Sequence, residues 1–253
     1  MLKTVNLALV VLKMFTREKP IWGGRELAHE MGLNHTNVYR ILETLERNGF
    51  ITKDPISKQY ALGSVVWELG TIFYEGLNVS NLISPVLEKL SEHTGESIFL
   101  TILDNDQALT LVVIEPKNKV KFSVSAGSRA PLYVGASYRS ILAFMPEEAI
   151  EKIIANGLVK YTATTMADAT ELRNELSVIR QNGWAESQGE YTPDVVALAV
   201  PLLVNNTIIG SVTVAGPSYR MEEEQKKSYL PLLQQTRDEV VGIISRYNLK
   251  LNG

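Results

Sequence analysis

Between His35 and Leu42 the chain carries two kinds of side chain at helical spacing. Val38 and Ile41, with Leu33 before them, turn one way, and His35, Thr36, Asn37, Tyr39 and Arg40 turn the other. The chemistry open to that polar set is hydrogen bonding to a nucleic-acid duplex. Arg40 can grip guanine or a phosphate with its fork, Asn37 can pair bidentately with adenine, and Thr36 can meet a phosphate or a thymine methyl. Arg25 and Thr44 lie where they could reach the phosphate backbone, and Lys53, Lys58 and Gln59 where they could approach the adjoining groove. Solvated residues on a helical hairpin without a DNA role are the alternative, so the elements that hold these groups decide between the two.

Residues 24–43 read GRELAHEMGLNHTNVYRILE, the spacing of two short helices crossing at a tight turn. Leu27, Met31, Leu33, Val38 and Ile41 fall where such helices share a core. Ala28 lets the second helix approach, and Gly32 can take the left-handed backbone angle that ends the first. Upstream, Leu7, Val10, Val11 and Met14, with Leu9 and Leu12 nearby, form the stripe of a supporting helix stopped by Pro20 and the Gly23-Gly24 pair. Downstream, the second motif helix is expected to run to about Arg47 and to be capped by Gly49. Residues 50–53 and 58–62 read as two short strands around the turn Asp54-Pro55-Ile56-Ser57. Residues 1–63 are therefore expected to form a winged helix-turn-helix.

Residues 64–79 are apolar at helical spacing, with Trp67, Phe73 and Tyr74, and read as a linker helix that docks on its own domain or pairs with another subunit. From residue 80 onward a helix through Val86, Leu87 and Leu90 closes at Gly95. Strands are expected at 97–103, 108–115, 120–125, 196–204 and 208–215, the last two joined by an Asn205-Asn206 turn. Helices are expected at 138–144, 146–156 and 169–182 and from Met221 to about Leu249. Hairpin-linked strands with helices around them point to an antiparallel sheet covered by helices, an α+β domain over residues 80–253.

Charge is divided along the same lines. The chain of 253 residues carries −3 overall, yet residues 1–63 hold nine Lys or Arg against six Asp or Glu, and the remainder sixteen against twenty-two. Positive charge thus sits with the motif, as phosphate contact requires, but +3 is a weak attraction and two copies on one site would be needed. The chain has no cysteine, which excludes disulfides, thiol catalysis and cysteine-held metals and fits a reducing compartment, the cytoplasm by default. The apolar start is broken by Lys3, Asn6 and Lys13, so neither a membrane span nor a signal peptide is expected.

Four separated segments, in order, resemble the IclR family of bacterial transcriptional regulators. They are ELAHEMGLNHTNVYRILETLERNGFITKD, GSRAPLYVGASYRSILA, QNGWAESQGEYTPDVVALAVPL and AGPSYRM. The resemblance implies a GAF-like C-terminal domain that binds a small organic acid, DNA-bound homodimers or homotetramers on a roughly palindromic operator, and control of catabolic operons. It places Phe122, Ala130, Ala136, Ser137, Ser187, Glu190, Ala197, Thr213 and Ala215 at pocket-lining positions, several of which could equally be plain core. The chain departs from the family with Tyr138-Arg139 in place of Gly-Lys, Asp194 where glycine is common, and Ala197 where cysteine is frequent.

An acid in such a pocket needs donors. Gly135, Ala136 and Ser137, just before a helix, could offer amides, and Ser187, Ser211 and Thr213 hydroxyls. Arg139 could pair with the acid, or form a surface ion pair with Glu147 or Glu190. An enzyme built on the ligand-sensing domain is the alternative in another class. No Gly-x-Ser-x-Gly elbow, phosphate loop or dinucleotide fingerprint supports it, and His29, His35 and His93 are too scattered for a metal. No cofactor is expected. A pure protein-interaction module, a third reading, predicts no salt-sensitive binding to any duplex.

Overall fold

The computed structural model describes residues 2–77, 79–118, 121, 122 and 124–251. The chain divides into two compact units, one ending at Gly76 and the other starting at Leu77. In the first, α1 (Lys3–Lys13), α2 (Gly24–Glu30) and α3 (His35–Arg47) surround a core of Val11, Phe15, Leu27, Ala28, Val38, Ile41, Leu42 and Leu45. Val10, expected on the inner stripe of α1, is exposed together with Leu9, because the core-facing side of that helix passes through Val11 and Phe15. Gly32 takes φ +62° between α2 and α3, and Asn34 caps α3 by accepting a hydrogen bond from the Thr36 amide at 2.8 Å.

The wing has three strands, not two. β1 (Ile21–Gly23), β2 (Ile51–Lys53) and β3 (Gln59–Leu62) form an antiparallel sheet in the order β1-β3-β2, with Trp22 opposite Tyr60. Trp22 is also tied to α1 through its indole N–H, which donates to the Met14 carbonyl at 2.9 Å. α4 (Ser64–Gly76) follows and buries none of its residues; Trp67 is 74% and Ile72 66% exposed.

In the second unit, α5 (Val79–Leu82) and α6 (Ser84–Thr94) lead into a six-stranded antiparallel sheet. The strands are β4 (Ser97–Asp104), β5 (Gln107–Ile114), β6 (Arg129–Ala130), β7 (Ala185–Gln188), β8 (Val195–Val204) and β9 (Thr207–Pro217), in the order β6-β5-β4-β9-β8-β7. The helices α7 (Ala136–Leu142), α8 (Glu147–Ala155) and α9 (Ala169–Asn182) share a core with Ala108, Ala185 and Ala199 on one face of the sheet. α6 and α10 (Glu223–Tyr247) pack on the other, where Ile98, Leu100, Leu198, Val200, Val212 and Val214 are buried. The expected strand at 120–125 is not formed at its described residues, 121, 122, 124 and 125; Val120 and Ser123 lie outside the described set. On the side away from β4, β5 pairs with the two-residue β6.

Candidate DNA-reading surface and effector face

On α3 the buried stripe of Val38, Ile41, Leu42 and Leu45 fixes which side is free. The positions opposite it are Thr36, Arg40, Glu43 and Arg47, at spacings of four, three and four residues, and all are exposed. Arg47 is bound to Glu43 at 2.7 Å and was not among the expected contacts, although the same spacing that marks Thr36 and Arg40 marks it too. Asn37 and Thr44 lie on the flank toward α1, where they line a groove of about 460 Å³ with Arg40, Thr4 and Ala8. The Thr44 hydroxyl donates to the Arg40 carbonyl at 2.8 Å, a local bond it would exchange for one to a phosphate. His35 and Tyr39 occupy the opposite flank, and the Tyr39 ring stands so close to Gly24 that a Cβ there would meet it at 2.9 Å. Arg25 is exposed near the start of α2.

In the wing, the Asp54 carboxylate accepts from the Ile56 amide at 3.0 Å, the Ser57 amide at 2.6 Å and the Ser57 hydroxyl at 2.8 Å. These bonds, the Ser57 amide above all, hold its pKa below the usual aspartate value. Lys58 follows at φ +60° with its side chain exposed, as is that of Gln59. Lys53 turns its ammonium over the Tyr60 ring at 5.2 Å from the centroid, and that contact raises its pKa. Thr36, Arg40, Lys58 and Gln59 are thus free for contact, while Lys53 is partly engaged within the sheet.

The effector candidates fall mainly on the face of the second sheet that meets α7. Cross-strand register lines up Ser187 with Ala197, Ala197 with Ala215 and Ala215 with Ser97, a row of four small residues across β7, β8, β9 and β4. The next row runs Ala185, Ala199, Thr213 and Phe99, and the one beyond brings Ser211 opposite Thr101 and Thr101 opposite Thr110. At the start of α7, Gly135 takes φ +84°, Ala136 is buried, and the Ser137 hydroxyl shares a hydrogen bond of 2.6 Å with that of Thr213. Ser211 donates to the Ser137 carbonyl at 2.9 Å. Phe122 stands edge-on to Phe99 with centroids 5.9 Å apart. Ala130 is placed differently: it lies on β6 opposite Ala108, at the far edge of the sheet from the β7 residue Ser187.

Arg139 resolves into a buried pair, not a surface one. It is 1% exposed and holds the Glu190 carboxylate by both ends of its fork, one contact at 2.8 Å, while donating to the Glu186 carbonyl at 2.6 Å. Glu147 is paired with Arg180 instead. Glu190 also accepts from the Gly135 amide at 3.2 Å, so the first amide at the head of α7 is already taken by the protein's own carboxylate. Two buried polar atoms, Thr101 Oγ1 and Arg139 Nε, have no partner among the described residues. Burial raises the pKa of Tyr138, whose hydroxyl lies 3.4 Å from that of Thr110. Sequence reasoning singled out Tyr138 only as a departure from the family and missed Thr101 and Thr110, since the meeting of these residues depends on strand register and on the seating of α7.

Comparison with known proteins addresses both units. Residues 5–55 match the IclR helix-turn-helix domain, and residues 73–241 match the bacterial transcriptional regulator IclR C-terminal domain. The HTH-type transcriptional regulator KipR of Bacillus subtilis is 31% identical over 246 residues, 96% of each chain, and the transcriptional repressor IclR of Escherichia coli is 22% identical over 85% of this chain and 80% of its own. The IclR transcriptional regulator of Alicyclobacillus acidocaldarius superposes with a TM-score of 0.86 at 28% identity, covering 96% of this chain and 99% of that one. An IclR homologue of Microbacterium hydrocarbonoxydans, solved in complex with 4-hydroxybenzoate, shares the fold with a TM-score of 0.83 at 17% identity, over 96% of this chain and 99% of its own. These relatives are named as regulators, which sets the enzyme alternative aside. With a matching helix-turn-helix domain, a matching C-terminal domain and full-length likeness to named regulators, the chain belongs to the IclR family of bacterial transcriptional regulators.

Proposed function

We propose that this regulator binds a roughly palindromic operator as a homodimer or homotetramer in the cytoplasm and that a small organic acid in its second unit adjusts its grip, controlling a catabolic operon. One observation carries the DNA half: Thr36 and Arg40 stand outward on a helix whose opposite side is locked into a core, beside a wing presenting Lys58 and Gln59. The proposed contacts are Arg25, His35, Thr36, Asn37, Tyr39, Arg40, Thr44, Lys53, Lys58 and Gln59. The modest +3 of residues 1–63 supports paired engagement, since each copy neutralises few phosphates.

For the effector, the row from Ser187 to Ser97 supports a floor on which a small ligand rests. Phe122 and Phe99 would wall it, and Ser137, Ser187 and Thr213 would supply hydroxyls. Because Glu190 already neutralises Arg139 and takes the Gly135 amide, an acid here is met by hydroxyls and the remaining α7 amides of Ala136 and Ser137. The carboxylate ligand of the Microbacterium relative is consistent with that class. Such a ligand shifts operator affinity only by its preference for one spacing of the paired wings, typically about 1–3 kcal/mol.

The test is selection of duplexes from a random library with the full-length protein, followed by titration of the winner across a salt series with and without candidate acids, 4-hydroxybenzoate among them. A two-fold motif and a steep salt slope are expected, with an acid moving the midpoint. A flat salt slope and no enriched motif would overturn the DNA half; no response to any acid, with binding intact, would overturn the effector half.

A further inference from the structure

We propose that Ile56 is a specificity-determining contact, pressed into the minor groove beside the half-site that α3 reads and favouring A·T pairs there. The inference rests on the docking of α3 in a major groove and adds a residue that neither sequence spacing nor charge singles out.

Ile56 is 90% exposed, more than any other large apolar residue in the described chain. It is not a side chain that simply failed to fold back. The Asp54 carboxylate receives its amide and both Ser57 donors, the Lys58 amide returns to the Asp54 carbonyl at 3.0 Å, and the Asp54 amide donates to the Gln59 carbonyl at 2.8 Å. The tip is therefore closed on itself, and a closed tip displays its isoleucine outward at a fixed place. Its neighbours Asp54, Pro55, Ser57 and Lys58 are exposed as well.

Beneath it, Lys53 pairs across the strands with Tyr60, and Tyr60 with Trp22, which is anchored to α1. The wing is thus braced against the same unit that carries α3. A branched, uncharged side chain on a rigid tip gains nothing from a phosphate but gains dispersion contact and loses water against sugar edges and the groove floor. That floor differs between pairs in one respect: guanine projects its N2 amino group into it, and A·T pairs do not. An isoleucine reaching the floor is obstructed by that group and accepts its absence, while Lys58 two positions on supplies the neighbouring phosphate contact.

The experiment uses full-length wild type, Ile56→Ser, Ile56→Met and Lys58→Ala in random-library selection and in titrations across a salt series. Wild type is expected to enrich an A·T-rich flank beside each half-site, with binding about three- to tenfold weaker when that flank is G·C. Replacing flanking guanine by inosine, which lacks the N2 amino group but keeps the major-groove edge, is expected to restore affinity. Ile56→Ser keeps the half-site motif, loses the flank preference and the inosine effect, and leaves the salt slope unchanged, whereas Lys58→Ala lowers the slope. Ile56→Met retains the preference. If Ile56→Ser still enriches the same flank, or inosine makes no difference to wild type, the inference falls while DNA binding stands. If wild type enriches no motif, the DNA-binding reading and the inference fall together.

Discussion

Arg139 and Glu190 face each other across the start of α7, fork to fork, with Arg139 fully buried and Glu190 nearly so. The loop around Thr162 and Thr165 holds the backbone of Gly189 and Glu190 through hydroxyl donors at 2.7 and 2.6 Å, so the carboxylate cannot drift from its partner without disturbing that loop.

Removing Glu190 leaves the buried guanidinium with the more distant Glu175, 4.0 Å away and partly exposed, as its carboxylate partner. Glu190→Ala is expected to cost about 3–5 kcal/mol of stability in urea unfolding, because a buried charge stripped of its close partner is far worse than a paired one. The double variant Arg139→Met, Glu190→Leu should recover most of that loss. Equal losses in single and double variants would show that the pair does not act as a unit.

Arg40 occupies the centre of the outward side of α3. Arg40→Ala is expected to weaken binding to a selected duplex by about 1–3 kcal/mol if it reads a base, and to relax preference at one position. Arg47→Ala, beside it but engaged by Glu43, should shift affinity less. Unchanged binding and salt slope for Arg40→Ala would remove it from the contact surface.

Trp67 and Ile72 lie bare along α4, a poor arrangement for a lone chain in water. Trp67→Ala is expected to lower the oligomer size seen by sedimentation and to blunt any acid-dependent shift in DNA affinity. Were both properties intact in the variant, α4 would be neither a pairing surface nor the element that couples the proposed ligand to DNA.

Gly216 leaves room for the buried Glu96, which grips Arg220 at 2.6 and 2.8 Å. A Cβ at Gly216 would stand 2.3 Å from Glu96 Oε2. Gly216→Ala is therefore expected to cost about 1–3 kcal/mol through overpacking and to splay that fork. Thermal unfolding of Gly216→Ala beside Glu96→Gln, Gly216→Ala tests the cause: the second substitution should not add its full separate cost.

The wing tip should respond to acid. Asp54 has its pKa lowered in the folded chain, so its contribution is present above the unfolded value and is lost as pH falls through the lowered folded one. The Ser57 amide resonance is expected to titrate with a midpoint below that of an ordinary aspartate, and Asp54→Ala to abolish the transition. A midpoint at the ordinary value would show that the turn does not depend on the charged form.

The elements most legible in the sequence were those whose ends are written locally. α9 begins where Asp168 receives the Thr170 and Glu171 amides and ends at Gly183 with φ +75°, and the Asn205-Asn206 turn takes φ +49° and +61°. β1 and β7 were not legible: Ile21–Gly23 and Ala185–Gln188 have little alternation and become strands only because β3 and β8 offer them edges. Likewise Glu190 was expected at the pocket and Arg139 either on a ligand or in a surface ion pair, but not both together in the interior, since burial there is decided by how α7 seats on the sheet. Ala130, given a pocket-lining position by resemblance, lies on β6, at the other edge of the sheet from β7.

The row from Ser187 through Ala197 and Ala215 to Ser97 has a consequence for how such a regulator diversifies. Backbone pairing keeps this platform level whatever stands above it, and methyl- or hydroxymethyl-sized groups impose little shape of their own. If a ligand rests there as proposed, chemical discrimination falls to the side chains around the row, Phe122 among them. On that reading, a change of ligand class asks for changes in those surrounding side chains alone and leaves the paired strands beneath untouched.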